Sequence, residues 1–456
     1  MPLPLRLALT LAASLALVAC STVRPWINQP RVDVPEIDVR AVAQRDASSL
    51  FAVSLSGGGA RAAAFAFGVL KELRDTPCCW YQRDSNVLDA VDLISGVSGG
   101  SIVAAYFAAF GSAGLDQFEP DFLRQDFQSG LIAQLMHPAN LYDLSSPWFG
   151  RSQLLERRLD ALYRGMTFKD IEHRPRHPQL LITATDLTLG TGFDFTSDTF
   201  ELICSDLQSV PLSFAVTASS AVPLLLSPMT LRNYRDDCPG GVPKLVERPA
   251  ESAEDDYRTR LILAQQRAYL DAQSRPYIHL VDGGLADNLG VRRWIETALA
   301  GGGMRTAFRE VRIPAGSVQR LVLVIVNAER DPVHDISASD QVPSTTDVVD
   351  ALLFGAGNQA SVETQEFLTD VVRRFHDDIA RGERWPGFAK DAEIYLIFVN
   401  LRDATGATRR DLMQVPTAFT IGDAEVTSLI EAGRTVLRAS KEFQALKRSL
   451  GFGATP

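Results

Sequence analysis

Positive charge is in short supply in this chain. Its 45 lysines and arginines stand against 55 aspartates and glutamates, giving a formal net charge of −10. A surface so balanced offers no basic footprint for nucleic acid and no general attraction to anionic lipid. Histidine is scarce, with six in 456 residues, and cysteine scarcer, with five. No histidine stands at a ligand-like spacing from the cysteines, so no zinc-type constellation is present and no metal or other cofactor is called for. The glycine cluster at 57–59 lacks the Gly-Lys-Ser/Thr of a P-loop and has the wrong order for a dinucleotide fingerprint, which removes both common nucleotide sites. Internal repeats are absent.

Long apolar runs are missing too. Leu7 to Val18 is too short for a membrane span, but with Arg6 and the free amine before it the segment has the build of a secretory signal. It ends in Leu17-Val18-Ala19-Cys20, which resembles the bacterial lipobox. That resemblance implies removal of residues 1–19 and lipidation of Cys20, a membrane anchor that does not span the bilayer. Ser21 rather than aspartate follows the cysteine, implying transfer to the outer membrane, facing the periplasm. Residues 20–48 hold Pro25, Pro30 and Pro35 among polar residues and are expected to be an extended tether. In an oxidising compartment Cys78, Cys79, Cys204 and Cys238 allow three full pairings, or free buried thiols; a Cys78–Cys79 bond would be strained. Cys204–Cys238 is the preferred pair, because it closes a sizeable loop around residues 218–223.

Three places share one pattern, a short apolar strand ending in a glycine turn. Val91, Leu93 and Ile94 lead into Gly96-Val97-Ser98-Gly99-Gly100 and then a helix beginning near Ile102. A serine in such a turn, flanked by residues without bulk, can be held exposed at the carboxyl end of a sheet as a nucleophile. Phe51 to Leu55 lead into Ser56-Gly57-Gly58-Gly59-Ala60-Arg61 and a helical stretch from Ala62 to Leu73. Consecutive glycine N–H groups at a helix N-terminus make an anion-binding concavity, which about forty residues before a Gly-x-Ser-x-Gly turn points to an oxyanion hole. Ile278 to Val281 end in Asp282-Gly283-Gly284. Asp282 can cap the turn or serve as the base for Ser98. Of the histidines, His279 falls inside a strand-like run and is expected to be packed. His334 and His376 leave a Ser-Asp-His order formally open, although neither lies in a comparable turn.

The ordered set Gly57-Gly58-Gly59-Ala60-Arg61, Gly96-Val97-Ser98-Gly99-Gly100 and Asp282-Gly283-Gly284 resembles the patatin-like phospholipases. Ala184-Thr185-Asp186-Leu187 and Ala218-Ser219-Ser220-Ala221-Val222-Pro223 agree with it, so the resemblance covers roughly residues 49–300. It implies a three-layer α/β/α fold with a mainly parallel central sheet. It also implies a catalytic pair of Ser98 and Asp282 without histidine, an oxyanion hole from Gly57 to Gly59, and Arg61 supporting that loop. Ser56 stands where many members carry aspartate, and Ala62 where many carry glycine.

Elsewhere, residues 236–276 read as an insertion over or beside the site, and 301–456 as an extension. Leu321 to Val326 and Ile394 to Val399 are expected to extend the same sheet, and Ile421 to Leu450 to form a long amphipathic helix. Phe65, Phe67, Val222, Leu224, Leu225 and Leu226 are candidates for an acyl pocket, or ordinary core. The expected activity is a lipid-anchored serine acyl hydrolase acting on a phospholipid or another acyl ester. The rival readings are a catalytically silent envelope lipoprotein used for binding or assembly, and a Ser-Asp-His esterase.

Overall fold

The computed structural model describes residues 24, 26–32, 48–78, 85–174, 177–238, 257–292, 294, 316–330, 337, 340–344, 351, 356–382, 388–405 and 408–450. The signal-like run 1–19, Cys20, most of the segment 20–48, Cys79 and His334 lie outside them, as do residues 239–256 of the expected insertion.

Two strands at the middle of the fold explain its layering. Strand β1 is a short pair, Gln29–Pro30, discussed below; β2 is Ser49–Leu55 and β9 is Val318–Asn327. Phe51, Val53 and Leu55 point into the main core, whereas Leu50 and Ala52 point into a second core on the opposite face. A strand buried on both faces loses the apolar–polar alternation and becomes a continuous apolar run, as Leu321 to Val326 of β9 does in the sequence. The main core is covered by helix α1 (Gly59–Asp75) and by α2 (Gly99–Gly114), and the second by α7 (Ala356–Ala380), which contributes Phe375. The result is the expected three-layer arrangement.

The sheet order is β10-β9-β2-β3-β4-β8-β7, where β3 is Leu93–Val97, β4 Gln179–Asp186, β7 Met229–Arg232, β8 Tyr277–Val281 and β10 Phe388–Asn400. From β10 to β4 all neighbours are parallel. The two C-terminal strands therefore join the same sheet. The chain leaves β2 on one side to make β3 and returns on the other side as β9, so the carboxyl end of β2 is a switch point, where open α/β sheets hold their ligands.

Strand β8 departs from the parallel pattern. It runs antiparallel to β4 and overlaps it only through Val281 opposite Thr185 and Leu280 opposite Asp186. It therefore descends onto the carboxyl edge from outside and delivers Asp282 to the sheet end. Strand polarity leaves no trace in so short an apolar run.

Two further expectations are corrected. Residues 421–450 form two helices, α8 (Asp423–Ala439) and α9 (Lys441–Ser449), because Ser440 leaves helical geometry and its hydroxyl accepts the Phe443 N–H as an N-cap. The segment read as an extended tether is docked where it is described: β1 pairs antiparallel with β6 (Ser205–Asp206). Asn28 is buried, donating to Ser205 Oγ (3.0 Å) and the Arg232 carbonyl (2.8 Å) while accepting the Arg232 N–H (3.0 Å). Polar and proline-rich composition suggested a linker, but a single asparagine with all its bonds satisfied is enough to fix it. The Cys204–Cys238 disulfide is formed, with Arg31 N–H donating to the Cys204 carbonyl at 3.0 Å. Cys78 is disulfide-bonded as well.

Candidate active site

Ser98 follows β3 directly, and α2 begins at the next residue. Its backbone is left-handed, φ +49° and ψ −123°, a conformation that costs a non-glycine residue free energy and persists only where the surroundings enforce it. Three contacts do so. Ser98 N–H donates to Ser219 Oγ at 2.8 Å, Ser219 Oγ donates to the Thr183 carbonyl at 2.6 Å, and Ser101 Oγ donates to the Ser98 carbonyl at 2.6 Å. Ser219 ends helix α4 (Leu212–Ser219), so the block 218–223 noticed in the sequence holds the serine turn against β4.

Ser98 Oγ donates to Asp282 Oδ2 at 2.8 Å, while Asp282 Oδ1 accepts the Gly284 N–H at 2.8 Å. The aspartate backbone is fixed separately: its N–H donates to the Ala221 carbonyl at 3.0 Å and its carbonyl accepts Thr185 Oγ1 at 2.8 Å. Burial pushes the Asp282 carboxyl up to about 6, against the opposing pull of the Gly284 N–H and the Ser98 hydroxyl. It remains a carboxylate at neutral pH, but a more basic one than a surface aspartate. The loop beyond it is tied back to the sheet by Ser95 Oγ, which donates to the Gly290 carbonyl at 2.7 Å, and by Ser54 Oγ, which donates to the Leu289 carbonyl.

The glycine loop passes beside the serine. A Cβ on Gly57 would lie 3.4 Å from Ser98 Cβ and 2.4 Å from Asn288 Oδ1, and one on Gly99 would lie 2.0 Å from the Gly59 carbonyl oxygen. Loop and serine turn thus approach at a distance only glycine permits. Gly57 N–H already donates to the Asn288 carbonyl at 3.1 Å, which narrows the expected donor set. Among the described residues, the N–H groups of Gly58, Gly59 and Gly99 have no acceptor. Arg61 is buried, its Nε donating to the Ala328 carbonyl (3.0 Å) and its Nη1 to that of Val415 (2.6 Å). Its Nη2 lies against Gly58. It ties the loop to β9 and to the chain before α8. Ser56, at the family's usual aspartate position, accepts the Ala328 N–H at 2.9 Å, so the hydroxyl is satisfied there.

A pocket of roughly 540 Å³, including its open mouth, lies over these groups; Gly57, Gly58, Val222, Asp282, Leu285 and Arg330 are among its walls. Of the acyl-pocket candidates, Val222 lines it. Phe65 and Phe67 are wholly buried in the main core and Leu226 is buried, while Leu224 and Leu225 project into solvent. His279 is exposed on β8, hydrogen-bonded to Thr230 Oγ1 at 3.0 Å, rather than packed, because with Tyr277 it alternates onto the solvent face while Ile278 and Leu280 turn inward. His376 is exposed on α7. No histidine among the described residues hydrogen-bonds to Ser98 or Asp282.

Asn288 and Glu329 were not anticipated. Asn288 Nδ2 donates to Glu329 Oε1 at 2.7 Å, and Glu329 also accepts from Asn327 Nδ2 (3.1 Å) and Ser361 Oγ. This chain wedges Asn288 between the glycine loop and the Asp282 loop. Asn288 lay six residues past a motif aspartate, and only that proximity could have flagged it.

A switch-point sheet carrying a strained serine, a buried carboxylate and a glycine loop in mutual contact is the framework of an α/β acyl hydrolase. The chain belongs to the patatin-like phospholipase family, whose profile matches residues 53–295, and it is a lipid acyl hydrolase. Among solved structures it is similar to human GIVD cytosolic phospholipase A2, at 12% identity and a TM-score of 0.45 over 94% of this chain and 69% of that one. It is also similar to VipD from Legionella pneumophila (13%, TM-score 0.27, 92% and 73%) and to the type III effector ExoU (15%, TM-score 0.25, 89% and 77%). Among curated proteins none matches at a significant level.

Proposed function

We propose that this protein is a lipid-anchored serine acyl hydrolase of the phospholipase A, lysophospholipase or lipid-esterase type, working through a Ser98–Asp282 dyad. Ser98 Oγ attacks the ester carbonyl and Asp282 takes its proton. The developing oxyanion is held by the N–H groups of Gly58, Gly59 and Gly99 beside the N-termini of α1 and α2, while Gly57 shapes the loop and Arg61 supports it. The alcohol leaves with the proton returned by Asp282. Water then attacks the acyl-enzyme with Asp282 again as base, regenerating Ser98.

The observation that carries this reading is the 2.8 Å bond from Ser98 Oγ to Asp282 Oδ2, within the range a general base requires. The lipobox-like end of the signal at Cys20 supports an anchored enzyme, and Ser21 supports the outer membrane, facing the periplasm. The Cys204–Cys238 disulfide fits an oxidising envelope compartment. The domain plan that accompanies it is a signal at 1–19, a segment 20–48, and one hydrolase domain at 49–456. A fluorophosphonate probe should label wild type at Ser98, and a panel of acyl esters should be turned over by wild type but not by Ser98→Ala. Failure of both would leave the silent-lipoprotein reading in place.

A further inference from the structure

The turn 222–226 carries two features that the chemistry at Ser98 does not use. Leu224 and Leu225 are 68% and 66% exposed, although the residues just before them, Val222 and Pro223, line the catalytic pocket. Leu224 also sits at φ +71°, a left-handed conformation in which a leucine is strained. The turn is nevertheless built firmly: Leu226 N–H donates to the Val222 carbonyl at 2.9 Å, and Arg151 Nη2 donates to the Leu224 carbonyl at 2.7 Å. A rigid turn that spends strain to push two leucines outward at a pocket mouth is not explained by packing. Leu285, on another wall of the same pocket, is 42% exposed.

A second observation puts the N-terminal segment at the same end of the molecule. Arg151 begins helix α3 (Arg151–Tyr163), three residues after Trp148. Trp148 meets Trp26 edge to face at 6.4 Å, the Arg24 guanidinium lies 4.5 Å from the Trp148 ring centre, and Trp26 packs on Tyr277 at 5.7 Å. Tyr277 opens β8, three residues outside the Leu280–Asp186 pair, and so stands about 10 Å beyond the carboxyl edge of the sheet, the edge that holds Ser98. Only five residues separate Trp26 from Cys20, six steps along the chain and a reach of at most about 20 Å. Tryptophan, tyrosine and arginine are also the side chains that settle at a membrane–water boundary.

We infer that the leucine turn 222–226 and the Trp26–Trp148–Tyr277 cluster form the surface that seats the pocket mouth on a lipid bilayer, with Leu224 and Leu225 entering its acyl region. The short leash from Cys20 presents that end of the fold to the membrane, and the leucines displace water where a lipid must slide into the pocket. The negative net charge leaves this task to apolar contact. The inference rests on the lipid-hydrolase reading for its substrate, on the proposed Cys20 anchor for the direction of approach, and on geometry for the surface itself.

The test uses the enzyme as isolated from producing cells, reconstituted with vesicles of phosphatidylethanolamine and phosphatidylglycerol. Leu225→Trp, made in the Ser98→Ala chain, should be quenched by lipids brominated in their acyl chains more than the same chain without it. Leu224→Asn combined with Leu225→Gln keeps a residue tolerant of left-handed backbone while removing the apolar tips. It should hydrolyse vesicle phospholipid at least tenfold more slowly, yet cleave soluble p-nitrophenyl butyrate within twofold of wild type. Absence of extra quenching, or unchanged vesicle hydrolysis, overturns the inference and leaves a protein as the occupant of the surface. Equal loss on both substrates overturns it in favour of an acyl-pocket role. Should wild type cleave neither substrate, the hydrolase reading fails on its own, because quenching in the Ser98→Ala chain reads the surface without turnover.

Discussion

Ser98 Oγ lies 2.8 Å from Asp282 Oδ2, across 184 residues of sequence. The two meet because β3 carries the serine up to the carboxyl edge while β8 brings the aspartate down onto it. Asp282→Asn keeps size and one acceptor oxygen but cannot take the proton, so kcat/KM should fall by at least roughly 10²-fold with the fold retained. His376→Ala and His334→Ala should cost far less. Rates measured beside circular dichroism decide it: a folded Asp282→Asn enzyme that keeps most of its activity, with either histidine variant dead, would replace the dyad by a triad.

The elevated Asp282 value has two consequences that run in opposite directions. Since the base must be ionised, kcat/KM should drop about tenfold per unit as pH falls below about 6. Stability follows the other sign. A carboxyl whose folded value exceeds its unfolded 3.8 binds its proton more tightly when folded, so stability declines as pH rises from about 4 to about 6 and the penalty is complete above that. Removing the charge with Asp282→Asn should therefore raise stability at pH 7.5, by up to about 3 kcal/mol, and change it little at pH 4. Thermal melts at the two pH values check this, and a variant no more stable than wild type at pH 7.5 contradicts it.

Gly99→Ala tests the contact between serine turn and glycine loop. Its Cβ would lie 2.0 Å from the Gly59 carbonyl oxygen, and backbone on both sides leaves nothing flexible to yield. Overpacking of this kind costs about 1–3 kcal/mol, and here it would also displace the proposed oxyanion donors, so activity should fall more than stability alone accounts for. Gly192→Ala is the control, since its nearest neighbour is the Thr183 methyl at 3.6 Å. Melting temperature and kcat/KM measured on both variants distinguish the two effects, and a Gly99→Ala enzyme as active as the control would refute the contact.

What the sequence disclosed, and what it hid, follows from the range of each interaction. The turns at 57–59, 96–100 and 282–284 were legible because glycine is demanded locally, by tight turns and close backbone approach. Strand β9 was legible because burial on both faces writes itself as an unbroken apolar run, Leu321 to Val326, while β2 and β3 showed as shorter apolar stretches broken by the buried Ser54 and Ser95. The roles of Ser219, Asn288 and Glu329 were not, since each is defined only by a partner distant in sequence, as Ser219 is by Ser98 121 residues away. Ser440 could have been read as a cap, but a periodicity that continued across it masked the break. The docked residues 26–32 show the reverse error, composition overruled by specific bonds.

The Cys204–Cys238 bridge closes 34 residues that include α4 and Ser219, and so should hold the element that anchors the Ser98 N–H. Replacing both cysteines by alanine should lower unfolding free energy by about 2–4 kcal/mol. Under oxidising conditions the variant, which keeps the Cys78 disulfide, should melt below wild type, and reduced wild type should melt no higher than the variant. Coincident melts of oxidised and reduced wild type would deny the bridge a stabilising role.

The anchor gives the last expectation. Acylation at Cys20 is the membrane attachment proposed above, read from the lipobox-like end of the signal. Cys20→Ala should abolish incorporation of labelled palmitate, and any chain cleaved from its signal should leave the membrane fraction while still reacting with a fluorophosphonate at Ser98. The surface around Leu224 and Trp148 binds more weakly than an acyl anchor, because it inserts only a few side chains. Washing membranes with high salt, which screens charge but not apolar contact, should therefore leave wild type bound and release little of it. A cleaved Cys20→Ala chain that stays as firmly bound as wild type would refute the anchor and place the whole attachment on the protein surface.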